Sequence, residues 1–216
     1  MPKPSLKFEH PDRSRLIDAV MLFGAGLAPC SKASRLVTLN VSRNIYKQTG
    51  KNEADRYQMR TVGWILALLG LHDIRMLIVD KSSSVDQIDN KLTYKSSGID
   101  YLWPIFKRWY PQYEIERSRW SYVPPDINLC EKSFAVWLVD ALHNNRPGSD
   151  IRLSSMRMRH HVASILAWHV RRLGWPCKIS ATTRYFALDI PAETRPDLEA
   201  WLEQYVPAEV WTNETE

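Results

Sequence analysis

The sequence predicts an α+β fold of two pseudo-twofold-related repeats, each with an antiparallel sheet backed by helices. Three observations predict it. An apolar helix opens each half of the chain. Leu69-Gly70-Leu71 and Leu173-Gly174-Trp175 each end a longer helix and lead into a pair of strands. A short Trp-bearing helix then closes each half, running into Tyr110-Pro111 or Val206-Pro207. The order helix, strand, helix, strand, strand, helix, met twice in one chain, is the mark of an internal duplication.

Taken in order, residues 1–12 read as an arm, because Pro2, Pro4 and Pro11 oppose regular structure. Residues 13–24 read as a helix, with Leu16, Ala19, Val20 and Phe23 at helical spacing and Gly24 and Gly26 as its stop. Residues 36–42 alternate. Val37, Leu39 and Val41 face one way and Thr38, Asn40 and Ser42 the other, as in a half-buried strand. Residues 54–71 read as a second helix, with Met59, Val62, Leu66 and Leu69 inside and Gly70 as a C-terminal cap. Residues 74–79 are a short apolar strand. Residues 90–96 are another, with Leu92 and Tyr94 opposite Lys91, Thr93 and Lys95. A short helix follows over 101–110, with Pro104 near its start.

The second half opens on an apolar helix over 131–142, carrying Phe134, Val136, Trp137, Leu138 and Val139. A strand over 151–155, an amphipathic helix over 158–173, strands over 177–182 and 185–190, and a closing helix over 196–205 complete it. His169 falls on the apolar face of its helix, as a core histidine would. These pieces divide the chain into an arm (1–12), a first repeat (13–120), a linker containing Pro124-Pro125 (121–130), a second repeat (131–207) and an acidic tail (208–216).

Composition agrees with a packed domain. The chain has 216 residues, 44% hydrophobic and 25% charged, enough to bury a core without disulfides or metals. No run of 18 apolar residues exists, so neither a transmembrane helix nor a membrane partner is expected. The first 15 residues mix Lys3, Lys7, Glu9 and Asp12 and lack the apolar centre of a secretory signal. Cys30, Cys130 and Cys177 are odd in number and have no metal spacing, which predicts free thiols in a reducing compartment. The net charge is +5. Its distribution is uneven: Asp197, Glu199, Glu203, Glu209, Glu214 and Glu216 lie in the last 21 residues, which hold no Lys or Arg. A basic body of this kind suits a polyanion, nucleic acid first, with a merely solvated basic surface as the competing reading.

The two-repeat pattern resembles the single-chain LAGLIDADG homing endonuclease family, over nearly the whole chain from Arg13 to Pro207. Lys132-Ser133-Phe134-Ala135-Val136-Trp137-Leu138-Val139-Asp140-Ala141 is similar to the family's motif helix, and Leu22-Phe23-Gly24-Ala25-Gly26 resembles its Leu-Leu-Gly-Asp-Gly. Asp150 to Ser155 resembles the strand after the motif. The resemblance implies two motif helices side by side on the pseudo-twofold, approaching through small residues, with two curved sheets forming a saddle over a duplex. It also implies one acid at the foot of each motif helix, holding a divalent metal beside the scissile phosphates.

Here the acid positions fall on Ala25 and Ala141, and alanine binds no metal. The residual acids are Asp18 and Asp140; Asp140 lies about 100° away from position 141 in helical phase. The expectation is therefore a catalytically inactive protein with no cofactor, Mg2+ entering only if it is an active endonuclease after all. Binding would remain on the polar strand faces: Thr38, Asn40 and Ser42; Lys91, Thr93 and Lys95; Arg152 and Ser154; Lys178, Ser180, Thr182 and Arg184. Ordinary solvated sheet faces would look the same in sequence. Arg157, Arg159, His160 and His161 form a further basic cluster. Lys107-Arg108-Trp109-Tyr110, with Arg117, Arg119 and Trp120 after it, interleaves cations and aromatics as a stacking surface for RNA would.

The expected function is thus nucleic-acid binding, RNA over DNA, in a maturase-like role or as a structural part of a ribonucleoprotein such as an organellar ribosome, with other proteins as further partners. The alternatives are an active Mg-dependent DNA endonuclease and a protein-interaction module. A mitochondrial location is implied by the resemblance alone.

Overall fold

The computed structural model describes residues 10–22, 26–30, 35–46, 61, 63–65, 67, 69, 74–80, 88–112, 122–144, 148–154, 158–183 and 185–211. Among them the order is α1 (His10–Leu22), β1 (Gly26–Pro29), β2 (Val37–Tyr46), β3 (Ile74–Asp80), β4 (Ile88–Ser96), α2 (Leu102–Trp109), α3 (Glu131–Asn144), β5 (Ile151–Ser154), α4 (His160–Arg172), β6 (Lys178–Ala181), β7 (Phe186–Ile190), a single 3-10 turn (Ala192–Thr194), α5 (Arg195–Leu202) and α6 (Ala208–Trp211). Of the helix expected over 54–71, residues 61, 63–65, 67 and 69 are described; all are helical except 69, which lies in a turn.

The strands form two antiparallel sheets, in the orders β1-β2-β4-β3 and β5-β7-β6. Without β1 the two orders are the same. In each half the last strand lies between the other two, which is the duplication seen in the sequence. β1 itself was not expected. It hydrogen-bonds along β2 from Gly26 opposite Asn40 to Pro29 opposite Val37. Because β1 is an edge strand, Pro29 can sit in it without orphaning a ladder acceptor. The N-terminal helix also starts earlier than expected, at His10, with Pro11 in its first turn. Proline is tolerated there because the first-turn N–H groups have no helical partner.

The helices α1 and α3 pack directly against each other. Residues 16–22 of α1 and 133–139 of α3 are buried without a break, on every side of each helix. A surface helix buries one stripe; a helix buried all round lies at the centre of its fold. Phe134, Ala135, Leu138 and Val139 are fully inaccessible. Two buried hydroxyls of this core are satisfied. The Ser133 hydroxyl accepts from the Cys130 amide (2.8 Å) and donates to its carbonyl (2.9 Å), tying the first turn of α3. The Ser96 hydroxyl accepts the Leu39 amide at 2.9 Å.

In the second half, α4 buries Val162, Ala163, Leu166, Ala167 and Val170 and packs on β6 and β7. Gly174 then turns the chain at φ +94°, a conformation that costs glycine least. Trp201 of α5 closes this half against Phe134 (5.6 Å between rings), Trp175 (5.8 Å) and Tyr205 (4.8 Å). The connecting segment is packed at several points: Tyr122 donates its amide to the Trp109 carbonyl at 2.8 Å, and Ile127 and Leu129 are buried. The start of the acidic tail is packed as well. α6 returns to the first half, where Thr61 donates its hydroxyl to the Val210 carbonyl at 3.2 Å and both residues are buried.

Ala135 is fully buried in the helix that packs on α1, and protein interiors are close-packed. Ala135→Leu is expected to destabilise the protein by about 1–3 kcal/mol through overpacking, read as a lower denaturant midpoint at unchanged slope. Full stability in that variant would mean that α3 has free space on its Ala135 side.

Candidate nucleic-acid interface

Alternation in the second sheet puts Ile151, Leu153, Leu188 and Ile190 against the helices and opens Arg152, Ser154 and Lys178 on the other face to solvent, with Ala187 buried among them. On that outer face the register brings Arg152, Asp189 and Lys178 into one row across β5, β7 and β6. Ser154, Ala187 and Ser180 form the next row. Arg152, Ser154 and Lys178 are exposed, as expected; Ser180 is half-buried. The Asp189 carboxylate was not anticipated. Arg152 donates two hydrogen bonds to it, at 2.8 and 3.1 Å. Those bonds hold the Asp189 carboxyl below the usual carboxylate range. Arg152 therefore brings a compensated charge to the face, while Lys178 is in no ion pair among the described residues. Thr182 departs from the strand expectation. It lies in the turn between β6 and β7, where its hydroxyl donates to the Tyr185 carbonyl at 2.7 Å and accepts the Tyr185 amide at 3.0 Å. Arg184 lies outside the described residues.

In the first sheet the register aligns Asn40, Lys95 and Arg75 in a row across β2, β4 and β3. The next rows join Ser42 with Thr93 and Leu77, and Asn44 with Lys91 and Val79. Lys95 is exposed and Asn40 half-buried; the side chains of Ser42, Lys91 and Thr93 lie outside the described residues. Arg75 was missed because an apolar strand was expected there, and only pairing with β4 puts it in the row of Lys95. Thr38 corrects the sequence reading: it is 5% exposed, and its hydroxyl donates to the Ala28 carbonyl of β1 at 3.1 Å. The hairpin partner that buries it was not foreseen.

The residual acids can be tested against the metal that the family's chemistry would need. Asp18 is 3% exposed. One carboxylate oxygen accepts Trp109 Nε1 at 2.7 Å and an Arg108 N–H at 3.3 Å; the other accepts Arg108 at 3.1 Å. Burial pushes this carboxyl up, against the pull of Trp109 and Arg108. Both oxygens thus accept from protein donors, three hydrogen bonds in all, and the Arg108 guanidinium already supplies the countercharge that a metal ion would bring. Ala141 is buried at the C-terminal end of α3 and offers a methyl group. Ala25 and the side chain of Asp140 lie outside the described residues. Among the described residues no three His, Cys, Asp or Glu side chains cluster as metal ligands would. The donor set described does not fit a divalent ion.

The expected stacking surface on α2 is also corrected. Trp109 and Tyr110 are core residues, 2% and 8% exposed, and Arg108 is held between Asp18 and Asp126, 3.1 Å from each. Arg117, Arg119, Trp120 and Arg157 lie outside the described residues. Arg159, His160 and His161 are exposed at the start of α4. His169 is buried, as its place on the apolar face implied, and Trp168 beside it was overlooked: it is 55% exposed.

No family model and no curated protein matches the chain. Solved structures do. The homing endonuclease I-WcaI bound to its DNA recognition sequence aligns with 100% of this chain and 96% of its own, at 11% identity and a TM-score of 0.63. The homing endonuclease I-DmoI in complex with DNA and Ca aligns with 90% of this chain and 91% of its own, at 12% identity and a TM-score of 0.49. The likeness is one of fold. The chain has the two-repeat architecture of the LAGLIDADG homing endonucleases from end to end.

His169 generates a pH prediction. Burial, with Arg172 nearby, lowers its pKa from the ordinary value of 6.5. A histidine with a depressed folded pKa contributes stability that is present above 6.5 and lost as pH falls through the folded value. Stability should therefore decline below pH 6.5, and His169→Leu should flatten that decline. Equal pH slopes for parent and variant in urea melts would assign the decline to other groups.

Proposed function

We propose that this protein binds nucleic acid across the outer faces of its two sheets and does not cut it. The observation that carries the second half of this reading is the fate of the acids. Asp18 is consumed by Arg108 and Trp109, and the position at the foot of α3 that would carry a metal ligand is Ala141. The first half is supported by the fold, which I-WcaI uses on its DNA recognition sequence, and by the cations on the sheet faces. Lys95 and Lys178 present ammonium groups to solvent on β4 and β6, with polar neighbours able to reach phosphates or base edges.

RNA is the favoured ligand. A protein that cannot cut has no use for the endonuclease's reaction, while a saddle of phosphate-binding groups still suits structured RNA. We assign it a maturase-like role or a structural role in a ribonucleoprotein. Crosslinking in cells followed by sequencing of the bound nucleic acid tests the ligand directly. Recovery of DNA alone would overturn the RNA assignment.

Two measurements on the purified protein test the rest. Plasmid DNA should stay supercoiled with magnesium or manganese. Nicking that disappears in Asp140→Asn would make the protein an endonuclease. In a salt titration of duplex binding, Lys95→Ala combined with Lys178→Ala should reduce the slope of log K against log salt by about two units, near one for each lost phosphate contact. Both side chains are solvent-exposed, so the melting temperature should hardly move. An unchanged slope would take the sheets out of the interface.

A further inference from the structure

We propose that the exposed side of α4 is a second binding surface, which takes an unpaired stretch of RNA by stacking a base on Trp168. This goes beyond the sheet-face reading and does not depend on it.

Trp168 is the most exposed large apolar side chain among the described residues, at 55%. It is also held in place. The Arg172 guanidinium lies 5.0 Å from the ring centroid, and the His169 ring meets it at 4.8 Å and 79°. A cation over an indole and a perpendicular ring beside it fix the plane of the tryptophan before any ligand arrives. At 3.6 residues per turn, His161, Trp168 and Arg172 fall within about 40° of one another around the helix. They therefore make one stripe, roughly 16 Å long at 1.5 Å per residue. Arg171, at the edge of the stripe, donates from two nitrogens to the Cys177 carbonyl, at 2.7 and 3.2 Å, and is still exposed. The helix contains no Asp or Glu.

A pre-oriented indole with a guanidinium on one side, on a helix without acids, matches what a single strand offers to its other side. Its bases present π-faces for stacking, and its phosphates run alongside within reach of Arg and His. In RNA, such unstacked bases occur in loops and bulges. An acidic protein segment would match the charge and leave the indole face without a counterpart, so the observations favour RNA.

The surface lies apart from the sheet faces. The opposite side of α4, with Val162, Leu166 and Val170, packs on the sheet that carries Lys178 on its far side. A helix layer and a sheet layer therefore separate Trp168 from Lys178. A duplex on the sheets cannot reach the stripe, and one folded RNA could use both by passing a loop behind the second repeat.

The test uses the full chain and a short, unstructured, adenine-rich RNA, read by fluorescence anisotropy. Trp168→Ala should weaken single-strand binding by about tenfold, the loss of one stacked base. Trp168→Phe, which keeps an aromatic face, should retain most of the affinity, and all variants should bind a duplex as the parent does. A photo-crosslink from 4-thiouridine RNA should fall within residues 160–172. A parent that binds no single strand, a Trp168→Ala variant as tight as the parent, or an adduct elsewhere would overturn the proposal. An oligoglutamate peptide that binds better than RNA, and loses that binding in Trp168→Ala, would also overturn it and make the surface a protein dock. Trp168-dependent binding of the single strand with no duplex binding would uphold this proposal and overturn the sheet-face reading.

Discussion

Two adjacent helices buried on all sides are the constraint that orders this molecule. With α1 and α3 at the centre, each can carry only apolar or small side chains over residues 16–22 and 133–139, unless a polar group brings its own partners. Asp18 is the charged exception, and its surroundings show what such an exception requires. Arg108 supplies the countercharge, and Trp109 supplies a neutral donor from the same short helix. The carboxylate thereby fixes α2 against α1. Such a cluster adds little net stability over an apolar one of the same shape, but leaving either partner alone is costly. Asp18 is thus a structural residue, and its chemistry is spent in packing.

The sheets answer to a different constraint. Their inner faces are dictated by the helices, and their outer faces are free to vary. On the second sheet the row Arg152, Asp189, Lys178 alternates in sign, so its field falls off faster than that of three cations would. On the first sheet the corresponding row is Asn40, Lys95, Arg75. Two repeats with the same strand order therefore carry different residues at matching places in the register.

What could be read from the sequence depended on whether a signal was local. The strand 151–154 was legible because its two faces differ in every residue. The first central helix was legible from apolar residues at helical spacing, the second as an apolar run, and the repeat as a recurring order of pieces. β1 was not: Gly-Leu-Ala-Pro has neither alternation nor β-branched residues, and only pairing with β2 makes it a strand. Thr38 was misplaced for the same reason, since its burial comes from that hairpin. The link from Asp18 to Arg108 spans 90 residues and has no sequence signature. Trp109 and Trp168 each stand next to arginines or histidines, and composition could not tell the core tryptophan from the exposed one.

The hydrogen bond between Thr61 and Val210 joins residues 149 apart, so it cannot form until almost all of the described chain has been synthesised. The segment at residue 61 is synthesised early, and its hydrogen bond to Val210 stays unmade until α6 has followed. Folding in order of synthesis, first repeat and then second, is therefore closed to this chain as a complete route. The N-terminal repeat waits for its last contact until the C-terminal one has been made, and contacts of such sequence separation are slow to close.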